Sequence, residues 1–405
     1  MLNSNVYDFV IIGGGIIGTA TAMALQRESD YKILIIEAED KLAAHQTGNN
    51  SGVIHSGLYY KPGSLKAKNC IEGRELLFNF CEKHNINCER CGKVVVATTD
   101  DELKPLQSLY ERGIANGLEK IKKLQKEDIN EYEPHVVGLK GLFIPQTGIV
   151  DFTEVTNTYA QIIKWAGGEI ETNCKFLSSS ASLNELLINS TKGEIRTKFL
   201  INCGGLYSDR IAKLCGVDPG LQIIPFRGEY YKLIKEKEHL VNNLIYPVPN
   251  TKFPFLGVHF TRMINGGVEA GPNAVLAFKR EGYSHKDISI IDMAKMFSYT
   301  GFLKMASKYY KIGLGEFHRS LSKRAFAKAL KKLIPEIEHA DLVKGGAGVR
   351  AQALDPLGNL IDDFRIIEAA RMIHVLNAPS PAATASISIG NKIAQMAKKN
   401  YGECI

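Results

Sequence analysis

The sequence lacks any apolar run that approaches the roughly 20 residues needed to cross a bilayer. Its first residues also lack the basic flank and the small-residue cleavage site of a signal peptide. Cysteine is scarce, with 8 residues scattered over 405 positions, which argues against a disulfide framework. Together these absences predict a cytoplasmic protein with reduced thiols and no membrane-spanning helix.

A metal-binding motif is missing as well. Cys81, Cys88 and Cys91 are close in sequence, but no second cysteine pair and no nearby His-x-x-x-His completes a zinc ligand set. Free cysteine is most often a buried, apolar side chain. We therefore expect structural thiols here and no bound metal.

What the sequence has in excess is positive charge, with a formal net charge of +7. Much of it lies between Lys295 and Lys332, where Glu316 is the one acidic residue. The basic residues of this segment are Lys295, Lys304, Lys308, Lys311, Arg319, Lys323, Arg324, Lys328, Lys331 and Lys332. Apolar and aromatic residues alternate with the lysines, so the segment fits either a solvated helix face or peripheral contact with the inner, anionic face of the cytoplasmic membrane.

The chain opens with a strand–helix–strand pattern around a glycine-rich turn. Residues 7–12 and 32–36 are apolar runs typical of buried parallel strands, and residues 16–27 have helical spacing. Between them, Gly13, Gly15 and Gly18 satisfy G-x-G-x-x-G, and Glu37 follows the second strand. In this context the glycines permit a tight turn and close approach to a pyrophosphate at the helix N-terminus, and the carboxylate accepts bonds from ribose hydroxyls.

FAD and NAD share that fingerprint, so a second feature has to separate them. Residues 199–202 form a short apolar strand that runs into Gly204 and Gly205. This segment resembles the second dinucleotide signature of FAD-dependent oxidoreductases, in which a strand ends in paired small residues beside the cofactor. The pattern favours FAD.

The loop from His45 to Tyr60, with sequence HQTGNNSGVIHSGLYY, is similar to the L-2-hydroxyglutarate oxidase/dehydrogenase family. Similar segments follow in the same order over essentially the whole chain, at residues 62–67, 225–231, 255–261, 271–274 and 348–353. The resemblance implies a D-amino-acid-oxidase-like fold, bound FAD, oxidation of L-2-hydroxyglutarate to 2-oxoglutarate, and electron transfer to oxygen or a membrane quinone. We expect Ile17, Thr47, Asn50, Ser51 and Gly52 to contact the flavin.

The same loop departs from the family at one position. Asn49 stands where the family commonly has a histidine. An amide neither titrates near neutral pH nor donates as an imidazolium, so a charge or acid–base role cannot be carried over to this position.

The fold class expected is α/β, a Rossmann-type FAD-binding domain with an inserted, mainly antiparallel α+β substrate domain. The length suits about two domains. Aromatic-rich extended segments broken by Pro and Gly between residues 221 and 271 favour the antiparallel sheet. The FAD-binding domain is predicted at 1–90, 150–215 and 340–405, the substrate domain at 91–149 and 216–339, and a basic helical segment at about 287–333.

Oxidation of a hydroxy acid needs a carboxylate-binding group and a base for the hydroxyl proton. Arg350 is the first candidate for the carboxylate because a guanidinium binds carboxylates in bidentate fashion, and Arg227 is the candidate for a distal carboxylate. His55 and His259 compete as the base, since imidazole is readily poised near the operating pH. A salt bridge for either arginine, or a structural role for either histidine, stays open.

A last helix is predicted from about Pro381 to Lys399. Its start at Pro381, Ala382 and Ala383 would direct N–H groups at the flavin pyrimidine, where negative charge develops on reduction. The alternative is a helix that only packs against the domain.

Substrate class also stays open at this point, because substrate identity lies in the pocket rather than in the scaffold. An amine or glycerol-3-phosphate oxidase on the same fold is the alternative to a small dicarboxylate or hydroxy-acid substrate. RNA binding by the basic segment is a further possibility, but no recognised RNA-binding module accompanies it, so we expect no nucleic-acid partner. The motifs do not specify an oligomeric state.

Overall fold

Two large β-sheets form the framework of the computed structural model, which describes residues 6–27, 30–182, 184–249 and 257–403. The strands are β1 (Val6–Ile12), β2 (Ile33–Ile36), β3 (Val53–Ile54), β4 (Cys88–Glu89), β5 (Lys93–Ala97), β6 (Lys122–Gln125), β7 (Lys140–Ile144), β8 (Gly148–Val150), β9 (Glu169–Glu171), β10 (Phe176–Ala181), β11 (Leu186–Ser190), β12 (Gly193–Asn202), β13 (Gln222–Leu233), β14 (Leu244–Pro247), β15 (His259–Arg262), β16 (Val268–Gly271), β17 (Val275–Leu276), β18 (Leu342–Leu354), β19 (Arg365–Ala369) and β20 (Met372–Asn377).

Helices connect the strands and cover the sheets. They are α1 (Ile16–Gln26), α2 (Leu65–Lys83), α3 (Leu103–Ala115), α4 (Lys126–Tyr132), α5 (Phe152–Trp165), α6 (Ser208–Leu214), α7 (Ile290–Phe297), α8 (Thr300–Leu321), α9 (Lys323–Leu330) and α10 (Ser386–Glu403). Short 3-10 turns lie at Asp100–Glu102, Gly205–Tyr207, Lys235–Leu240 and His339–Asp341. Side-chain caps fix two of the helix starts, since Ser64 Oγ accepts the Ala67 N–H and Asp151 accepts the Thr153 N–H.

The first sheet has the order β10-β11-β12-β1-β2-β9, with β20 beside β12 and β19 beside β20. β1 is parallel to both β2 and β12, which confirms the strand–helix–strand unit. Apolar side chains of β1 and β2 pack with those of α1, α5 and α10 into one core cluster. Because β1, β2 and β12 are parallel, their carboxyl ends meet at one edge of the sheet.

The second sheet has the order β17-β13-β16-β15-β14-β5-β7-β6, with β18 along β13. Its pairs are antiparallel except β5 with β14, as the α+β prediction requires. The chain is still in the second sheet beyond the predicted domain boundary at residue 340. There β18 pairs with nearly the full length of β13. The strand predicted from Phe255 begins at His259 among the described residues, and residues 255–256 lie outside them.

Successive side chains along each strand of the second sheet point to opposite sides, and one of these sides faces α9. Val94, Ile245 and Phe260 lie in one core cluster with Phe326 of α9. Their neighbours Lys93, Tyr246 and His259 therefore project from the opposite side of the same three strands.

The last helix and the basic segment also differ from the expected bounds. α10 begins at Ser386 rather than at Pro381, and residues 381–385 form turns before it, in which Ala385 N–H donates to Pro381 O and Ser386 N–H to Ala383 O. The basic segment is three helices, α7 to α9. Within the described ranges, none of the helices combines the length and apolar character needed to span a membrane. The described cysteines are all free, and Cys404 lies outside the described residues.

Candidate active site

The predicted cofactor residues gather along the carboxyl edge of the first sheet. The glycine turn follows β1, Glu37 follows β2, and Gly204 and Gly205 follow β12. Gly13 has a φ of +108°, and a Cβ on it would lie 2.5 Å from Cys203 O. A Cβ on Gly18 would lie 2.0 Å from Gly13 O, so the helix approaches the strand as closely as the motif requires.

The geometry of this turn fits a dinucleotide such as FAD. α1 begins immediately after Gly15, and a Cβ on Gly15 would meet only Thr47 Oγ1, at 3.3 Å, so the backbone is open to a ligand. The Ile16 N–H donates to Thr47 Oγ1 at 3.0 Å, and Ile17 follows in the first turn of the helix. Glu37 Oε2 accepts the Gly14 N–H at 2.6 Å, which holds the carboxylate at the edge of the cradle.

The loop after β2 is held by its own side chains. Asn50 donates to Thr47 O and accepts the Gly52 N–H at 2.8 Å, and Ser51 lies between them, half-buried. Asn49 Nδ2 donates to Ala44 O at 2.9 Å and His45 O at 2.8 Å, so it stabilises the turn.

The turn before α10, which contains Pro381, Ala382 and Ala383, lies against this loop. Thr384 Oγ1 accepts the His55 N–H at 3.0 Å, and Ser380 Oγ lies 3.4 Å from His55 Nε2. The turn and the loop therefore position His55 together.

The loop also meets the second sheet. A Cβ on Gly348 of β18 would lie 2.3 Å from Asn49 O, so the strand and the loop are in close contact. Phe226 pairs with Arg350, which places Arg350 two residues along β18 from Gly348 and on the same side of the sheet. The structure thus brings Arg350 towards this loop, residues 45–60, which we call the flavin loop after its predicted role.

His55 and His259 share one environment. Burial, with the nearby charges of Lys93 and His259, lowers the pKa of His55 to about 3. Burial also lowers the pKa of His259 to about 3, and the charges of Arg350 and Lys93 act in the same direction. Both imidazoles are therefore neutral at pH 7, which is the form that accepts a proton.

The two histidines differ in their hydrogen bonds. His259 Nδ1 lies 2.9 Å from Gly257 O, a pure acceptor, so Nδ1 carries the proton and Nε2 the lone pair. Its ring stacks on Tyr246 with centroids 3.9 Å apart. His55 Nδ1 is buried without a hydrogen-bond partner among the described residues.

Lys93 belongs to the same site, and the sequence pattern did not single it out. Its side chain is fully buried at the start of β5, and its Nζ has no hydrogen-bond partner in the described part of the chain. Burial lowers the pKa of Lys93 to about 7. The available signal was a lone lysine at the head of the apolar run Val94–Ala97, where a solvated lysine is unexpected.

Arg227 lies elsewhere, on the opposite side of the sheet from Arg350, because it pairs with Val349. Its Nε donates to Glu229 Oε1 at 2.9 Å and its Nη1 to Ser284 O at 3.1 Å. Its Nη2 lies 2.9 Å from His285 Nδ1. The expectation that Arg227 points into the substrate site is therefore corrected to a buried ion-pair network.

Comparison with known proteins gives a consistent picture. The family model described as FAD dependent oxidoreductase matches residues 8–396. The chain is 53% identical over 397 residues to the L-2-hydroxyglutarate dehydrogenase of Indibacter alkaliphilus, covering 98% of this chain and 100% of that protein. It is 46% identical to the mitochondrial L-2-hydroxyglutarate dehydrogenase of Homo sapiens, covering 98% and 90%.

Solved structures share the fold. L-alpha-glycerophosphate oxidase from Mycoplasma pneumoniae, solved with FAD bound, gives a TM-score of 0.80 at 24% identity and covers 97% of this chain and 95% of that one. Glycine oxidase from Geobacillus kaustophilus gives a TM-score of 0.74 at 17% identity, covering 98% and 95%. Both chains extend over both sheets, so the two-sheet arrangement is shared.

Proposed function

The chain belongs to the FAD dependent oxidoreductase family, and we propose on that premise that it oxidises L-2-hydroxyglutarate to 2-oxoglutarate. The observation that carries the substrate assignment is the pair of basic side chains on one side of the second sheet, Lys93 and Arg350, with the neutral His259 near both. Such a site favours an anionic, dicarboxylate substrate over a cationic amine.

The glycine turn and the loop after β2 would hold FAD, which would supply the two-electron acceptor for the hydride of the substrate C2 atom. The protein then has to orient the substrate and take one proton. Arg350 binds the C1 carboxylate in this proposal, since a guanidinium makes two parallel hydrogen bonds to a carboxylate. Such binding fixes the orientation of the substrate and of its C2–H bond.

His55 takes the hydroxyl proton in this proposal. Its neutral imidazole has a buried Nδ1 without a partner among the described residues, and His55 lies in the flavin loop against the turn before α10. Loss of the hydroxyl proton leaves electron density on oxygen that expels the C2 hydride as the carbonyl forms. His259 is the alternative base, with its lone pair at Nε2.

The test is anaerobic mixing of the FAD-loaded protein with L-2-hydroxyglutarate, its D-enantiomer, glycerol 3-phosphate and sarcosine in parallel. Loss of flavin absorbance with the first compound alone is the expected result. Reduction by glycerol 3-phosphate or sarcosine would place the protein with the glycerol-phosphate or amine oxidases instead. The variant R350M should retain FAD and lose most of its affinity for L-2-hydroxyglutarate.

A second proposal concerns the surface of α7 and α8, which we propose rests on the anionic inner face of the cytoplasmic membrane. On α8, Leu303, Tyr310, Leu314 and Leu321 are 52%, 57%, 66% and 75% exposed. At 3.6 residues per turn these four side chains lie along one line of the helix. Aligned exposed apolar residues are unusual on a protein surface and mark interaction sites.

Charge favours a membrane as the partner of this surface. Lys304, Lys308 and Lys311 are exposed on α8 beside the apolar line. Exposed apolar residues flanked by lysines suit insertion of the apolar side chains between anionic headgroups. The adjacent α7 adds Ile290 and Ile291, which are 82% and 67% exposed.

Flotation with vesicles that contain anionic lipid tests this surface. We expect the protein to float at low salt, and both high salt and the double variant L314E/L321E to abolish flotation. The matched control is W165E on α5, where Trp165 is 76% exposed but distant in sequence from the basic segment. Failure of the native protein to float at low salt would exclude the membrane proposal.

A further inference from the structure

Lys93 is a buried cation without a counterion in the described structure. Its side chain has no exposed surface, and its Nζ lies 4.4 Å from the ring centre of Tyr59 and 4.8 Å from that of Tyr246. No hydrogen-bond acceptor contacts Nζ among the described residues. The thiol of Cys70 also acts on the charge of Lys93, and burial raises the pKa of that thiol to about 12. That thiol stays neutral and supplies no negative charge.

Other buried cations of this protein have carboxylate partners. Arg280 donates to both carboxylate oxygens of Asp209, and Arg74 donates to Glu75 and to Ser56 O. A charge left without partners in a protein interior is strongly unfavourable, so a fold keeps one only where it serves a purpose. Lys93 therefore calls for an explanation that packing does not give.

The two tyrosine rings explain which protonation state the site accommodates. The faces of aromatic rings attract a cation, and they offer nothing comparable to a neutral amine. The two rings thus offset part of the cost of burying the ammonium form, and a bound carboxylate would stabilise that form further, so Lys93 suits an anion-binding role.

The position of Lys93 relative to the other site residues supplies the geometry. Tyr246 pairs with Val95 across β14 and β5 and stacks on His259 of β15, so Lys93, Tyr246 and His259 share one side of three neighbouring strands. His259 feels the charges of both Arg350 and Lys93, and His55 feels the charge of Lys93. His259 accordingly lies near both cations, and His55 lies near Lys93.

We propose that Lys93 binds the distal carboxylate of the substrate and so makes the enzyme specific for a dicarboxylic 2-hydroxy acid. This inference rests on the proposed function and assigns its second carboxylate to a residue. With Arg350 on the C1 carboxylate and Lys93 on the C5 carboxylate, the C2 hydroxyl lies beside the histidines. The incoming carboxylate also supplies the negative charge that Lys93 lacks.

The test compares two substrates that differ only at the distal group, L-2-hydroxyglutarate and L-2-hydroxypentanoate, in which a methyl group replaces that carboxylate. The FAD-loaded native protein should be reduced by the diacid with an efficiency on the order of 100-fold higher. In K93M the preference should collapse, through loss on the diacid and little change on the monoacid. The control K122M removes a lysine from β6 whose Nζ donates to Tyr132 Oη, and it should keep the native preference.

Binding without turnover gives an independent readout. Glutarate has both carboxylates and no hydroxyl group, so it should perturb the flavin spectrum of the native protein and of K122M, but only weakly that of K93M. K93Q repeats the comparison with a polar, uncharged side chain if K93M does not fold.

The outcomes separate the two proposals. If neither hydroxy acid reduces the native flavin, the proposed function itself is wrong. If L-2-hydroxyglutarate reduces the native flavin but K93M and K93Q keep the native preference, or lose equally on both substrates, only the assignment of Lys93 is overturned.

Discussion

Two buried cations on the second sheet have opposite surroundings. Arg227, 2% exposed, is bonded to Glu229, to two backbone carbonyl groups and to His285. Lys93, 0% exposed, has two aromatic rings and no hydrogen-bond acceptor among the described residues. We call Arg227 with these partners the Arg227 cluster, and Lys93 with Tyr59, Tyr246, Cys70, His55 and His259 the Lys93 cluster.

The comparison contrasts a cluster whose groups stabilise one another with a cluster to which we have proposed a functional role. In the Arg227 cluster, burial alone would raise the pKa of Glu229, but bonds from Ser320 and Asn273 and the charge of Arg227 hold it below its usual value. The charged groups of this cluster are therefore paired with opposite charges or hydrogen-bond partners. In the Lys93 cluster, burial lowers the pKa of Lys93 to about 7 and that of His259 to about 3. The folded protein therefore disfavours the charged forms of both side chains. Substitutions in the two clusters should therefore act on different quantities.

The largest effect is expected from His55→Ala in the Lys93 cluster. Removal of a general base slows the reaction by about 10²- to 10⁴-fold, so reduction of the flavin by L-2-hydroxyglutarate should slow by that factor while FAD stays bound. Stopped-flow absorbance measures the rate. The control is His285→Ala in the Arg227 cluster, which should be reduced at the native rate. A native rate in His55→Ala would remove His55 from the mechanism and leave His259 as the base.

The next largest effect is expected in the Arg227 cluster, where a substitution should lower stability rather than activity. Arg227→Met leaves Glu229 buried without its cation, and breaking a buried pair in this way costs about 3 kcal/mol of unfolding free energy or more. Urea unfolding should show the loss, and the substrate preference of the surviving folded protein should be unchanged. A changed preference for dicarboxylates at native stability would return Arg227 to the substrate site.

A smaller effect of the opposite sign is expected from Lys93→Met. In the unfolded chain the ammonium keeps its proton up to its ordinary pKa of 10.5, whereas the folded protein releases it above about 7. The unfolded state therefore binds more protons between these values, and native stability rises with pH across that window. Below pH 7 both states are protonated and the unfavourable burial is present in full.

Lys93→Met removes the free-energy cost of burying the ammonium group. The variant should therefore be more stable than the native protein at pH 6, by roughly 1 to 4 kcal/mol. The advantage should shrink as the pH rises from 7 towards 10. Unfolding curves at pH 6 and pH 9 measure both values. Groups that face Lys93 are Tyr59, Tyr246, Cys70 and the two histidines, and none of these supplies a negative charge in that range. A variant less stable than native at pH 6 would contradict the comparison.

The sequence was most informative where function depends on local chain geometry. The glycine turn and Glu37 depend on residues close in sequence, so their pattern predicted the structure well. The Lys93 cluster is formed by strand pairing between residues such as Lys93, Tyr246 and His259, which are far apart in the chain. No local pattern encodes such a pairing. Arg227 was misplaced for a related reason, because its side of β13 depends on the register with β18.

The smallest effect is expected at Asn49, which lies in the flavin loop but is bonded in the manner of the Arg227 cluster. Its amide donates to two backbone carbonyls, and an imidazole turned the same way can donate only one such bond at a time. Asn49→His, which restores the common family residue, should therefore cost about 1 kcal/mol of stability. Because the side chain is directed into its own turn and Gly348 closes off the loop backbone, the flavin reduction rate should stay native. Thermal unfolding and stopped-flow reduction measure the two quantities, with Asn49→Ala as the control that removes both bonds and should cost more. A faster reduction in Asn49→His would show that this position belongs with the functional groups after all.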